Sequence, residues 1–346
     1  LLVHAVPSRM SRHLLCLAHA TLAKAVLILT VSATLAACHP KVSVNVGLGQ
    51  NRQLNEARVL PGGGSDKVAI IELRGTIIDS PQSGLLGPGP NPVDQFVAAL
   101  TLAEKDPRVK AVIIRINSPG GSVTASDTLY SEITRFREQT HKPVIASMGE
   151  IAASGGYYTA LAADTIIAQP TTITGSIGVI FPTINIHEAL TSIGVSAHAY
   201  TSGENKDLAN PLTPPRQSHA QIIQATVDEY FAKFKAIVIE HRPALAKENV
   251  DMATDGRVFS GDAALALGLV DRVGTLRDAF SAAKLAANAP NAQLVKYVAE
   301  GLPVQSPYAG ASASPRPPGP HPRQHPPQNL PDLAKPMAYY LWTPGW

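Results

Sequence analysis

The chain is short of cysteine, aromatic residues and charge. It has two cysteines in 346 residues, 5% aromatic side chains and 16% charged ones, with a formal net charge of +3. That small positive excess is spread thinly, and part of it lies in two ends that do not look like a folded domain, so a nucleic-acid-binding surface is excluded. The apolar run Ala25–Ala33 is too short to cross a bilayer comfortably. The segment His187-Glu-Ala-Leu-Thr191 lacks the second histidine of a zinc-peptidase helix and reads as structural. What is abundant is apolar content, at 45%, which is ample for a sizeable core.

The amino-terminal region reads as a targeting segment over residues 1–37. Met10, Arg12 and Lys24 lead into the apolar run, and Leu35-Ala-Ala-Cys38 resembles a bacterial lipobox, in which small residues admit the signal peptidase and the cysteine takes up lipid. Lipidation of Cys38 is therefore expected, and Cys16 would leave with the signal. No free thiol would then remain for catalysis or zinc binding. Two or three acyl chains hold a protein stably, at about 0.8 kcal/mol per buried methylene. The expected location is the bacterial cell envelope, with the domain outside the cytoplasm and anchored to a membrane by lipid.

Residues 38–66 are polar and include Pro61-Gly-Gly-Gly64, which suits a flexible tether, with order expected from about Lys67. From there strand and helix patterns alternate. Val68–Leu73, Ala111–Ile116, Val144–Ser147 and Thr165–Ala168 read as strands, while Val93–Lys105 and Ser126–Glu138 read as helices. This order predicts an α/β domain with a largely parallel sheet over residues 67–300. Thr213-Pro-Pro-Arg216 is expected to open a long helix, with Thr213 as cap and Pro214 in its first turn. Its stripe of Ile222, Ile223, Val227, Tyr230, Phe231 and Phe234 reads as core or subunit contact. From Pro303 onward there are twelve prolines, and residues 301–346 are expected to be extended, unpacked and outside the catalytic domain.

Three glycine-rich turns follow strands, where parallel sheets place their sites. Asn117-Ser-Pro-Gly-Gly-Ser122 can present backbone N–H groups to an oxyanion. Ala152-Ala-Ser-Gly-Gly-Tyr-Tyr158 sets Ser154 at a strand-to-helix turn, like a nucleophile elbow with Ala152 in place of the usual glycine. The third is Thr174-Gly-Ser-Ile-Gly178. Alone, a serine between small residues reads as a tight turn. Ser118, Ser122 and Ser176 are expected to form turns or touch substrate. A Ser/His/Asp triad stays open, because its members need not be close in sequence, and His141, His187, His198, His219 and His241 are the candidates.

Taken together, Arg115–Ser122, Met148–Tyr158, Thr174–Val179, Gly203–Asp207, Gly256–Gly261 and Gly268–Asp271 resemble the signal peptide peptidase A family, also called protease IV, of the Clp protease and crotonase superfamily. The resemblance implies a Clp protease/crotonase-like fold and a serine endopeptidase that needs no metal or cofactor. It places the nucleophile on Ser154, the general base on Lys206, and the oxyanion donors on backbone amides of Gly120 or Gly121 and of Gly155 in the nucleophile turn. It further implies substrates such as residual signal peptides and other unfolded apolar segments, and a homo-oligomer, an octamer in single-repeat members, in which Lys206 reaches the Ser154 of a neighbour.

A lysine accepts a proton only as the free amine, so a pKa near 10.4 must fall by about three units, roughly 4 kcal/mol, through burial. Glu204 and Asp207 are therefore expected to face away from Ser154. An acyl-coenzyme A enzyme of crotonase type and a silent envelope scaffold are the rival readings. The export signal argues against the first, because coenzyme A is scarce outside the cytoplasm.

Overall fold

The computed structural model describes residues 54–81, 83–84, 87–299, 304, 306–309 and 338–341. The targeting segment and Cys38 lie outside the described residues. The strands are β1 Leu54–Leu60, β2 Lys67–Arg74, β3 Ser83–Gly84, β4 Gly87–Pro88, β5 Val109–Ser118, β6 Gly120–Ser122, β7 Val144–Ala153, β8 Thr165–Ala168, β9 Ile173–Gly175, β10 Val258–Ser260, β11 Arg272–Val273, β12 Gln293–Ala299 and β13 Tyr339–Leu341. The α-helices are α1 Pro92–Lys105, α2 Val123–Thr140, α3 Gly155–Ala160, α4 His187–Ser192, α5 Gln217–His241, α6 Val250–Ala253, α7 Gly261–Leu267 and α8 Leu276–Ala286.

The main sheet runs β1-β12-β2-β5-β7-β8-β11, and β9 pairs with both β7 and β10. All pairs from β12 to β11 are parallel, as is β7 with β9. The pairs β1 with β12 and β9 with β10 are antiparallel. This is the largely parallel α/β architecture expected.

Alternation along the central strands divides the core in two. Ala69, Ile71 and Leu73 of β2 join Val112, Ile114 and Ile116 of β5 in a cluster with Phe96 and Leu100 of α1 and Leu129, Ile133 and Phe136 of α2. Val68 and Ile70 join Ala111 and Ile113 on the other side, against Leu276, Ala279 and Phe280 of α8. Being covered on both faces is why these strands read as unbroken apolar runs. Caps fix the helices between them. Asn91 Oδ1 accepts from the Val93 amide at 2.9 Å ahead of α1, Ser122 Oγ from Ala125 at 3.3 Å ahead of α2, and Thr275 with Asp278 forms a capping box on α8.

Three expectations are corrected. The ordered domain begins before Lys67. Leu54–Leu60 runs beside β12 from Leu54 opposite Ala299 to Leu60 opposite Leu294, and its Glu56 pairs at 2.6 Å with the buried Lys67. This strand covers an edge of β12 that would otherwise stand open. The long helix opens at Gln217 with Arg216 as cap, not at Thr213. Pro214 precedes another proline, and a residue before proline is pushed away from helical backbone. The proline-rich end is not wholly unpacked. The Tyr308 carbonyl accepts from Arg74 at 3.0 Å and Arg115 at 3.2 Å, Lys296 donates to the Ala309 carbonyl, and Tyr339–Leu341 forms β13, paired antiparallel with β6. Tyr340 is fully buried.

The Lys67 ammonium also meets Asp106 at 2.9 Å. Burial pushes the Asp106 carboxyl up, but hydrogen bonds from Lys67 and from the Arg108 amide and guanidinium outweigh it and hold the pKa down to about 2. A depressed carboxyl stabilises the fold above its unfolded pKa, about 3.9, and that contribution disappears as the pH falls toward the folded value. Asp106→Asn is therefore expected to lower stability at pH 7 and to flatten the stability profile between about pH 4 and pH 2, measured by urea denaturation across that window.

Candidate active site

The parallel pairing of β5 with β7 delivers two glycine-rich turns to the same end of the sheet, with Ser118 registered against Ala152. At the end of β5, Ser118 Oγ donates to the Gly75 carbonyl at 2.6 Å and accepts from the Gly120 amide at 3.1 Å, which ties the turn to the end of β2. Gly120 has φ +105°, open to glycine and strained for other residues. At Gly121 any Cβ would lie 1.9 Å from the Ile77 carbonyl oxygen, so the second glycine is required by a close backbone approach. The Ile77 amide donates to the Gly120 carbonyl at 2.8 Å and the Ser122 amide to the Ile77 carbonyl at 2.9 Å. Alternation then turns the Gly121 amide and carbonyl the other way, toward β13.

At the end of β7, Ser154 adopts φ 51° and ψ −116° immediately before α3. This is a sparsely populated backbone region for a residue with a side chain, and such strain persists only where the surroundings enforce it. Here the Ser154 amide donates to the Gly175 carbonyl at 2.8 Å, and the Tyr158 amide to the Ser154 carbonyl at 2.8 Å. The Ser154 hydroxyl is buried and has no hydrogen-bond partner among the described residues. Gly155 and Gly120 are in direct contact, since a Cβ on Gly120 would sit 2.7 Å from the Gly155 amide nitrogen. Ser154 and Gly155 are thus set beside the Gly120–Gly121 turn.

The neighbouring serines are otherwise engaged. Ser118 holds its turn, Ser122 caps α2, and Ser176, at φ 49°, donates its amide to the Arg257 carbonyl at 2.7 Å. Among the described residues no histidine hydrogen-bonds to Ser154. His241 meets the Tyr130 hydroxyl at 2.7 Å, His219 lies 3.9 Å from Asp207, and His187 faces the Leu212 carbonyl at 3.1 Å.

Lys206 is exposed, in a turn where its amide donates to the Gly203 carbonyl at 3.1 Å. Within one chain its amine does not come within hydrogen-bonding distance of Ser154. Asp207 is taken by Arg216, and among the described residues no carboxylate pairs with the Lys206 ammonium. The surrounding stretch carries much uncovered apolar surface, with Ile193 73% and Tyr200 98% exposed.

A family model described as Peptidase family S49 matches residues 136–290. A Synechocystis sp. protein bearing a protease name is 39% identical over 216 residues, covering 62% of this chain and 72% of its own length. An Enterococcus faecium protein named as a signal peptide peptidase is 30% identical over 247 residues, covering 71% of each. The chain belongs to peptidase family S49. As an S49 peptidase it is also 38% identical over 223 residues to Protease 4 of Salmonella typhi, covering 63% of this chain and 34% of that protein. It therefore spans about a third of the length of that larger relative. Among solved structures, a membrane-bound stomatin-specific protease overlaps at a TM-score of 0.37 and 20% identity, over 60% of this chain and 80% of that one.

In this S49 chain the resting hydroxyl of Ser154 is a buried polar atom left unsatisfied, an arrangement that costs about 1–3 kcal/mol. Ser154→Ala should therefore be more stable than the parent, by about 1 kcal/mol in chemical denaturation. A loss of stability would show that the hydroxyl is satisfied in the resting protein.

Proposed function

We propose that this chain is a serine endopeptidase that uses a Ser154/Lys206 dyad to hydrolyse residual signal peptides and other unfolded apolar peptides in the bacterial cell envelope. The observation that carries the reading is the Ser154 hydroxyl itself: it stands unpartnered on an enforced elbow, where Gly155 packs against Gly120 of the glycine turn. In the reaction Ser154 gives up its proton to the amine of Lys206 and attacks the peptide carbonyl. Amides of the Gly121 and Gly155 region hold the oxyanion, and water then releases the acyl enzyme. Membership of family S49, and the peptidase names carried by relatives, support this reading.

The base arrives from a second copy. Lys206 is exposed among uncovered apolar residues, and none of the described residues covers it. A neighbouring subunit laid over that surface would bury apolar area, strip water from the amine and bring it to the empty side of a Ser154 hydroxyl. The proposed assembly is a closed homo-oligomer, an octamer by the resemblance, tethered to the membrane through lipid on Cys38. Among the described residues no helix is long and apolar enough to cross a membrane.

Subunit mixing tests the dyad and its sharing together. Ser154→Ala and Lys206→Arg should each be inactive on a fluorogenic apolar peptide, because arginine keeps the charge but cannot act as base. Coassembled from denaturant, Ser154→Ala and Lys206→Ala subunits should regain part of the parent rate. An active monomer in light scattering would defeat the sharing, and near-normal hydrolysis by Lys206→Arg would defeat the lysine. Fluorophosphonate labelling of the parent, absent in Ser154→Ala, separates a peptidase from a silent scaffold.

A further inference from the structure

The face of the sheet that packs on α8 changes from apolar to charged toward the strand ends. Its alternate positions run Val68, Ile70, Glu72 and Arg74 on β2, Ala111, Ile113 and Arg115 on β5, and Leu294 and Lys296 on β12. Glu72 stands opposite Arg115 in the ladder of β2 with β5, and the parallel pairing of β12 with β2 brings Lys296 beside them. Three cations converge on one carboxylate oxygen. Lys296 Nζ reaches Glu72 Oε1 at 2.7 Å, the Arg74 guanidinium at 2.9 Å and the Arg115 guanidinium at 3.3 Å.

The charges of this cluster do not balance. Three positive groups and one negative one leave a residual +2, in a place where the Lys296 side chain is 1% exposed and Arg115 is mostly buried. Buried charge is costly unless it is compensated, and apolar residues would hold these strands together at less cost. Burial lowers the pKa of the Lys296 ammonium, and Arg74 and Arg115 add to the lowering against the opposing pull of Glu72. Arg115 is likewise lowered, first by burial and then by Arg74. Arg74 Nε is buried with no hydrogen-bond partner among the described residues.

What closes the cluster is a neutral strap, residues 306–309. The Tyr308 carbonyl accepts from Arg74 at 3.0 Å and from Arg115 at 3.2 Å, and the Ala309 carbonyl accepts from Lys296. The Tyr308 ring lies over the Arg115 guanidinium, 5.1 Å from its centroid. Among the described residues the strap makes no other hydrogen bond to the domain. Arg74 is 32% exposed and Tyr308 is exposed, so the cluster opens to solvent on the side of the strap. Carbonyl dipoles supply only part of the negative charge that two guanidinium forks and an ammonium can receive.

We propose that Arg74, Arg115 and Lys296 form a phosphate-binding site, in which a phosphate dianion displaces the Tyr308 and Ala309 carbonyls and balances the cluster. A phosphate group carries about −1.5 to −2 charges at pH 7, which matches the residual charge, and its oxygens suit the forks of two guanidinium groups. A carboxylate supplies one negative charge and leaves the other uncompensated. The site stands apart from the peptidase reading, since neither Ser154 nor Lys206 belongs to it. Free phosphate and a phosphomonoester headgroup present the same chemistry, and the experiment separates them.

The test is isothermal titration calorimetry of the full chain with inorganic phosphate, at an ionic strength held fixed with sodium chloride. One phosphate should bind per chain, and acetate should bind about tenfold more weakly or less. Arg74→Gln, at a partly exposed position, should keep the parent's circular dichroism and bind phosphate about tenfold more weakly, as one lost charge-assisted hydrogen bond implies. Tyr308→Ala takes the ring off Arg115 and loosens the strap, so it should bind phosphate more tightly than the parent, an outcome that general destabilisation does not produce. If Arg74→Gln does not fold, Tyr308→Ala and the comparison with acetate carry the test. Glycerol 3-phosphate that displaces inorganic phosphate from the parent supports the site with a headgroup as its ligand, and phosphate binding without such displacement supports it with the free ion. Absence of phosphate binding, equal affinity for acetate, a folded Arg74→Gln that binds as the parent does, or a Tyr308→Ala that binds no tighter overturns the inference.

Discussion

The site depends on two backbones approaching closer than any side chain allows. Gly121 lies against Ile77 at a distance that leaves no room for a Cβ, and Gly120 does the same against the backbone of β13 and the Gly155 amide. Because of that contact, the turn after β5 presents a strand edge, taken up by β13, instead of a row of side chains. Because β5 and β7 are parallel neighbours, the edge ends beside the elbow that holds Ser154. The rest of the domain serves to hold those two strand ends in register. Continuous apolar strands packed between α1 and α2 on one face and α8 on the other are a rigid way of doing so.

The elbow shows what that rigidity supports. Ser154 combines a strained backbone with a buried hydroxyl that nothing satisfies, and each feature alone costs on the order of 1–3 kcal/mol. Neither survives in a loose loop, where the chain would rotate and the hydroxyl would find water. The amide of Ser154 on Gly175, its carbonyl under Tyr158 and the close contact of Gly155 with Gly120 leave the residue nowhere to relax.

Much of this was legible in the sequence, and the boundary of what was legible has a physical explanation. Strands such as Lys67–Arg74 and Val109–Ser118 read clearly because burial on both faces makes them continuously apolar. The glycine turns read clearly because Gly120, Gly121 and Gly155 cannot be replaced where they stand. Leu54–Leu60 was missed, since an edge strand with Asn55, Glu56 and Arg58 carries no clean alternation. The start of α5 was misread because a proline that favours a first helical turn is overruled by the proline after it. Tyr339–Leu341 was hidden by composition: three residues in a proline-rich setting give no periodicity, and the partner strand Gly120–Ser122 has two residues without side chains. The signal available was the cluster of aromatic residues at the end of an otherwise aromatic-poor chain.

The short strand β13 is held through its backbone edges. The hydrogen bonds to it from Gly121, Val123 and Ile180 reach only main-chain atoms, so they ask for an extended backbone and no particular side chain. The Tyr340 side chain is enclosed, and α5 closes over it with Tyr230 and Phe234. The same helix leaves much of its amino-terminal half uncovered, and the segment just before it carries Lys206. That uncovered surface is thus joined by one helix to the wall around the buried Tyr340.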